Sequence, residues 1–213
     1  MFPLLLLVGL MVLPLSGCRS AYYGFWERLG LEKRDLLVDR VEDARDAQSD
    51  ASEEIQDTYE RFVELTGAEG GELADRADAL ERQYERSVER AEAVRTKIAD
   101  VESVAEDLFE EWEDELEEYQ SSELRRDSER QLELTRERYA QLMSSMRRAE
   151  GSMEPVLEVF QDYVLRLRHE RNAQAIGSLE GVSQEIEQDV ASLVSEMRAA
   201  IAEADEFLEQ MGG

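Results

Sequence analysis

From residue 31 onward, apolar residues return every third or fourth position and charged residues fill the gaps. That spacing marks amphipathic helices, and alternating steps of three and four form a seam that packs against other helices. The first stripe is Leu37, Val41, Ala44, Ala51, Ile55, Phe62 and Leu65, with Gln48 and Thr58 in the same seam. It predicts a helix over 31–66. Gly67 and the pair Gly70-Gly71 stop it, because glycine tolerates the left-handed conformation that ends helices. Upstream, Gly24 and Gly30 interrupt the stretch 19–30 and weaken any continuous helix there.

A second stripe spans 72–119 without a glycine or proline: Leu73, Ala77, Leu80, Tyr84, Ala91, Val94, Ile98, Val101, Ala105, Leu108, Trp112 and Tyr119. Its apolar register slips between Tyr119 and Leu124, which predicts a tight turn at Gln120-Ser121-Ser122. Its last turns are crowded with carboxylates over 110–118, and negative charge at a helix C-terminus opposes the macrodipole. Folding the next helix back would bring Arg125, Arg126 and Arg130 to those glutamates.

The third stripe predicts a helix over 123–171: Leu132, Thr135, Tyr139, Leu142, Met146, Ala149, Met153, Val156, Phe160 and Leu167. Gly151 and Pro155 fall in its middle. Proline deletes a backbone donor and clashes with the preceding turn. A kink, or a fresh start capped by Ser152, is expected near 151–155. The fourth stripe predicts a helix over 173–211, opened by Asn172: Ile176, Leu179, Ile186, Val190, Leu193, Met197, Ala200, Ala204, Phe207 and Met211. Four such stripes cannot be buried separately. They predict an all-α fold, an elongated antiparallel bundle of three to four long helices with coiled-coil character over 31–213.

The first 17 residues break this pattern. They form an uncharged apolar run that ends in Leu15-Ser16-Gly17-Cys18, and it is too short for a membrane span of about 20 residues. This resembles a bacterial lipoprotein signal peptide closed by a lipobox. The reading places cleavage between Gly17 and Cys18 and lipidation on Cys18. Since one acyl chain binds only marginally, a diacylglycerol on Cys18 is what would hold the body at a membrane. No Lys or Arg precedes the apolar run, so the expected start codon lies upstream of Met1. Residues 18–30 then serve as anchor and juxtamembrane linker. Tyr22, Tyr23, Phe25 and Trp26 in this stretch suit either the bilayer interface or the base of the bundle.

Charge narrows the partners. The chain has 213 residues, with 51 acidic against 24 basic and a net charge of −27. Such a field repels nucleic acid and anionic lipid head groups. It leaves the lipid anchor as the membrane contact, and cationic protein surfaces or divalent ions as what the charge would attract. Self-association through a shared coiled coil is open, mildly opposed by the net charge. Cys18 is the lone cysteine, so no internal disulfide exists.

Candidate chemistry is sparse. His169 is the sole histidine, too few for a zinc or di-iron site, and it fits the last turn of the third helix, where positive charge suits the dipole. No nucleophile elbow or phosphate loop is present. The acidic run 110–118 lacks the turn and carbonyl ligands of a calcium loop. No cofactor and no metal are expected. The densest charge on the first helix is Arg40, Glu42, Asp43, Arg45 and Asp46. It reads either as a contact face for a protein partner or as ion pairs to neighbouring helices.

Three blocks carry a resemblance. They are residues 34–48 (RDLLVDRVEDARDAQ), 146–157 (MRRAEGSMEPVL), and 167–176 (LRHERNAQAI). In order and spacing they are similar to the DUF2959 family of bacterial lipoproteins. The resemblance implies a helical, envelope-located lipoprotein and implies no activity. With Arg19 rather than Asp after the cysteine, similarity to the common sorting rule implies the outer membrane, facing the periplasm. The expectation is a non-enzymatic acidic scaffold or interaction module. A regulator of a cell-envelope enzyme is the alternative, and a hydrolase is disfavoured.

Overall fold

The computed structural model describes residues 19–66, 72–169 and 183–211. They form four long helices: α1 (Arg19–Thr66), α2 (Glu72–Glu118), α3 (Ser122–His169) and α4 (Ser183–Met211). The predicted Asn172, Ile176 and Leu179 positions lie outside the described residues, as do Gly17 and Cys18.

Each helix packs on its neighbours in chain order, and α4 closes the ring against α1. Named pairs fix the directions. Asp43 pairs with Lys97, Asp50 with Arg90 and Glu54 with Arg86, so α2 runs antiparallel to α1. Glu102 pairs with Arg147 and Glu113 with Arg136, so α3 runs antiparallel to α2. Across the diagonal α1 and α3 are parallel: Gln48 meets Met146, and Phe62 meets Phe160 with ring centroids 6.2 Å apart. Met211 ends α4 level with Arg34, and α2 continues past that level from Glu111, opposite Lys33, to Glu118.

The heptad stripes become one continuous apolar core. Leu37, Val41, Ala44, Ala51, Ile55, Phe62 and Leu65 of α1 are all fully buried, and Gln48 and Thr58 with them. The small residues Ala44, Ala51 and Ala91 are buried in α1 and α2, which make the most extensive contact in the bundle. Tyr119 departs from its predicted place: it stands in the turn and is 37% exposed.

Three local expectations come out differently. α1 begins at Arg19 rather than at 31, so Gly24 and Gly30 are carried inside a helix. Isolated glycines cost only about 1 kcal/mol each against alanine, and long helical flanks absorb that. α3 runs unbroken through Gly151 and Pro155, with no restart. Ser152 does not cap a new helix: its hydroxyl donates to the Ala149 carbonyl at 2.9 Å. The buried Met153, Val156 and Leu157 hold this turn in the core, and that burial outweighs the hydrogen bond proline removes.

The α2–α3 turn forms where the register slip places it. Ser121 is the cap of α3. The Leu124 N–H donates to its Oγ at 3.4 Å, and the Arg125 N–H donates to its carbonyl at 3.0 Å.

Candidate functional site

The charged patch on α1 is split between two neighbours. Asp43 accepts from the Lys97 ammonium at 2.8 Å, and Arg40 lies 3.5 Å away on its own helix. The Lys97 hydrogen bond holds the Asp43 carboxyl below the usual carboxylate range. Arg45 faces the other way. It donates to Asp46 at 2.9 Å and to Asp205 of α4 at 3.1 Å, and these contacts raise its pKa. Glu42 is exposed, and the Asp46 side chain is 70% exposed. Asp43 thus joins α1 to α2 and Arg45 joins it to α4, while Arg40 pairs with Asp43 along α1 itself.

The acid-rich end of α2 is met by cations from two helices, not by those nearest in sequence. Lys33 of α1 sits 2.8 Å from Glu111, and that contact raises its pKa. Arg136 of α3 reaches Glu113 at 2.7 Å, holding that carboxyl down, and its guanidinium lies 5.2 Å from the Phe109 ring centroid. Arg125 pairs instead with Glu129 and Arg130 with Asp127, both within α3. Charges three or four residues apart on one helix are already neighbours, so local pairs form at little entropic cost. Glu115 lies between Glu111 and Glu118; burial pushes its carboxyl up, and both neighbours add to the rise.

Beside this end the surface forms an open hollow of about 500 Å³, lined by Tyr119, Leu124, Asp127, Ser128, Arg130 and Gln131. Behind it Trp112 donates its indole N–H to Ser128 Oγ at 2.9 Å, tying α2 to α3. Tyr139, packed edge-on to Phe109, has its phenol pushed up to about 12, chiefly by burial.

Of the buried polar side chains, Gln48, Thr58 and Thr135 stand in the predicted seams, whereas Gln83 and Ser87 do not. In the α1–α2 seam Thr58 donates to the Glu54 carbonyl at 2.9 Å, and the Ser87 hydroxyl lies 2.7 Å from Thr58 Oγ1 and 3.1 Å from the same carbonyl, with one proton to give to either. Gln83 and Arg86 both reach Glu54 Oε1 at 2.7 Å. Ser87 reads as one more small residue, and its partner, 29 residues earlier on another helix, leaves no local trace.

His169 closes the last turn of α3 beside Arg166 and Arg168, and it is exposed. Among the described residues, no group of three or more His, Cys, Asp or Glu is placed to hold a metal ion. No described helix is long and apolar enough to cross a membrane.

This geometry defines an elongated antiparallel helical bundle with ion pairs laid between its neighbouring helices. The family model described as protein of unknown function, DUF2959, matches residues 22–211, and the chain belongs to that family. No curated protein and no solved structure matches it.

Proposed function

We propose that this chain is a non-enzymatic lipoprotein of the bacterial envelope, an acidic helical spacer tethered through acylated Cys18. One observation supports the reading: the chain is helical from the first described residue, Arg19, and continues unbroken for 48 residues to Thr66. At 1.5 Å per residue that is a rod of about 72 Å. A tether at Cys18 would put the α2–α3 turn at the membrane end, because α2 runs antiparallel to α1 and Lys33 lies beside Glu111. The opposite end, where α1 gives way to α2, would project away from the surface. The interhelix pairs Asp43–Lys97, Glu102–Arg147 and Arg45–Asp205 support a structural role for the charged residues. The negative field favours a cationic protein surface as the partner.

The test is fractionation of cells carrying the wild-type chain or Cys18→Ala. The reading expects the wild type in the outer-membrane fraction and the variant released to the soluble periplasm. A wild type that is already soluble, or a variant that stays with the membrane after a high-salt wash, would contradict it.

A further inference from the structure

α3 carries a second seam on its outer side. Leu134, Glu137, Gln141, Ser144, Arg148 and Gly151 follow one another in steps of three and four, and every one is exposed. The buried seam of the same helix, from Thr135 through Met146 to Val156, has the same spacing. Such steps keep a line of side chains turned toward a partner helix. This line is about 26 Å long.

Its charge is unlike that of the rest of the chain, which has 51 acidic residues and a net charge of −27. Between Glu137 and Glu154 no exposed residue of α3 is acidic. Glu150 and Glu154 are turned to Arg95 of α2. Two such chains repel each other over most of their surface, and this stretch lets them approach with no carboxylate between them. Arg136 and Arg147 are taken by Glu113 and Glu102 of α2. Glu137 and Arg148, beside them, are paired with no described residue.

Glycine is a poor helix former, and a Cβ at Gly151 would meet nothing in the chain within 4 Å, so the fold itself does not require glycine there. It leaves a notch in the outer seam. Leu134, at the other end of the seam, is 44% exposed. When two copies of the seam are laid antiparallel, one register matches all these features. Leu134 of each copy falls at Gly151 of the other, Glu137 at Arg148, and Gln141 at Ser144. The contact is isologous, so each match is made twice. In a parallel pair each residue would meet its own copy, setting Glu137 against Glu137 and Arg148 against Arg148.

We infer that the outer face of α3 docks a second copy of this chain, antiparallel and in that register. The core stays as it is, and the four-helix body is the unit that pairs. One helix face is a small contact, and small contacts are weak, so the dimer forms at micromolar concentrations. Its two tether ends stand at opposite tips, so it would join copies that stand on facing surfaces. The pairing itself rests on the body and not on the tether.

Native mass spectrometry of the full chain purified in detergent, from about 1 to about 100 µM, tests it. The wild type should pass from monomer to dimer over that range and go no further, because an isologous contact closes on itself. Arg148→Glu should weaken the dimer at least about tenfold, since it sets carboxylate against carboxylate at both matches. Adding Glu137→Arg should restore the dimer. Arg82→Glu makes the same charge change at an exposed site of α2 and should leave the dimer unaltered. A chain monomeric throughout, a dimer that Arg148→Glu weakens no more than Arg82→Glu does, or a double variant no better than Arg148→Glu alone would overturn the inference.

Discussion

Gln48 of α1 donates its side-chain amide to the backbone carbonyl of Met146 on α3, 3.3 Å away across the diagonal of the bundle. The residue is fully buried, and its Oε1 has no hydrogen-bond partner. A buried acceptor without a partner costs about 1–3 kcal/mol. The amide nevertheless ties α1 to α3 at one register, the same register that stacks Phe62 near Phe160.

Gln48→Met, which keeps the volume and removes both polar atoms, should therefore stabilise the bundle by about 1 kcal/mol. Urea denaturation would show a higher midpoint at unchanged slope. A lower midpoint would mean that the single amide bond outweighs the unpartnered oxygen.

Phe62 anchors an aromatic cluster with Phe160 and Tyr163, the latter edge-on at 5.3 Å between centroids. It is fully buried. Phe62→Ala should cost about 3–5 kcal/mol, the usual loss for a large core aromatic, measured as a drop in the same midpoint.

Gly151 lies inside α3, and a Cβ added there would meet nothing within 4 Å. Gly151→Ala should stabilise by about 0.5–1 kcal/mol, by narrowing the unfolded ensemble and raising helix propensity. Thermal unfolding would show a rise of a few degrees.

Glu115 sits four residues after Glu111 and three before Glu118, with its carboxyl raised by burial first and by those neighbours second. A carboxyl whose folded pKa is raised weakens the fold while it is ionised. The cost fades as pH falls through that folded pKa and is gone below the ordinary carboxylate value. Glu115→Gln should thus stabilise by about 0.5 kcal/mol at pH 7, on the scale of like-charge helix pairs. The gain should vanish near pH 4. Asp43 has the opposite sign: its carboxyl is lowered by Lys97, so its contribution is present above the ordinary carboxylate pKa and is lost on acidification through the folded value. Midpoints of wild type, Glu115→Gln and Asp43→Asn across that pH range would check both directions.

Much of this architecture was legible in the heptads. Leu37, Val41, Ala44 and their successors repeat so regularly that only a helical seam fits, and the slip between Tyr119 and Leu124 marked the α2–α3 turn. Local rules failed where long-range packing overrode them. Gly24, Gly30 and Pro155 are punctuation in a short helix but are tolerated in helices of 48 residues. The pairing of Arg136 with Glu113, and of Lys33 with Glu111, depends on how the helices align in space. Nearness in sequence pointed to Arg125 and Arg130, which pair within their own helix. The charged patch at 40–46 was visible as a patch, but its division between α2 and α4 needed the bundle.

The most direct measurement is mass spectrometry of the N-terminal peptide of the mature chain purified from cell membranes. The account predicts a peptide that begins at Cys18 and carries a diacylglyceryl group. A chain that retains residues 1–17, or begins at Cys18 without lipid, would contradict it.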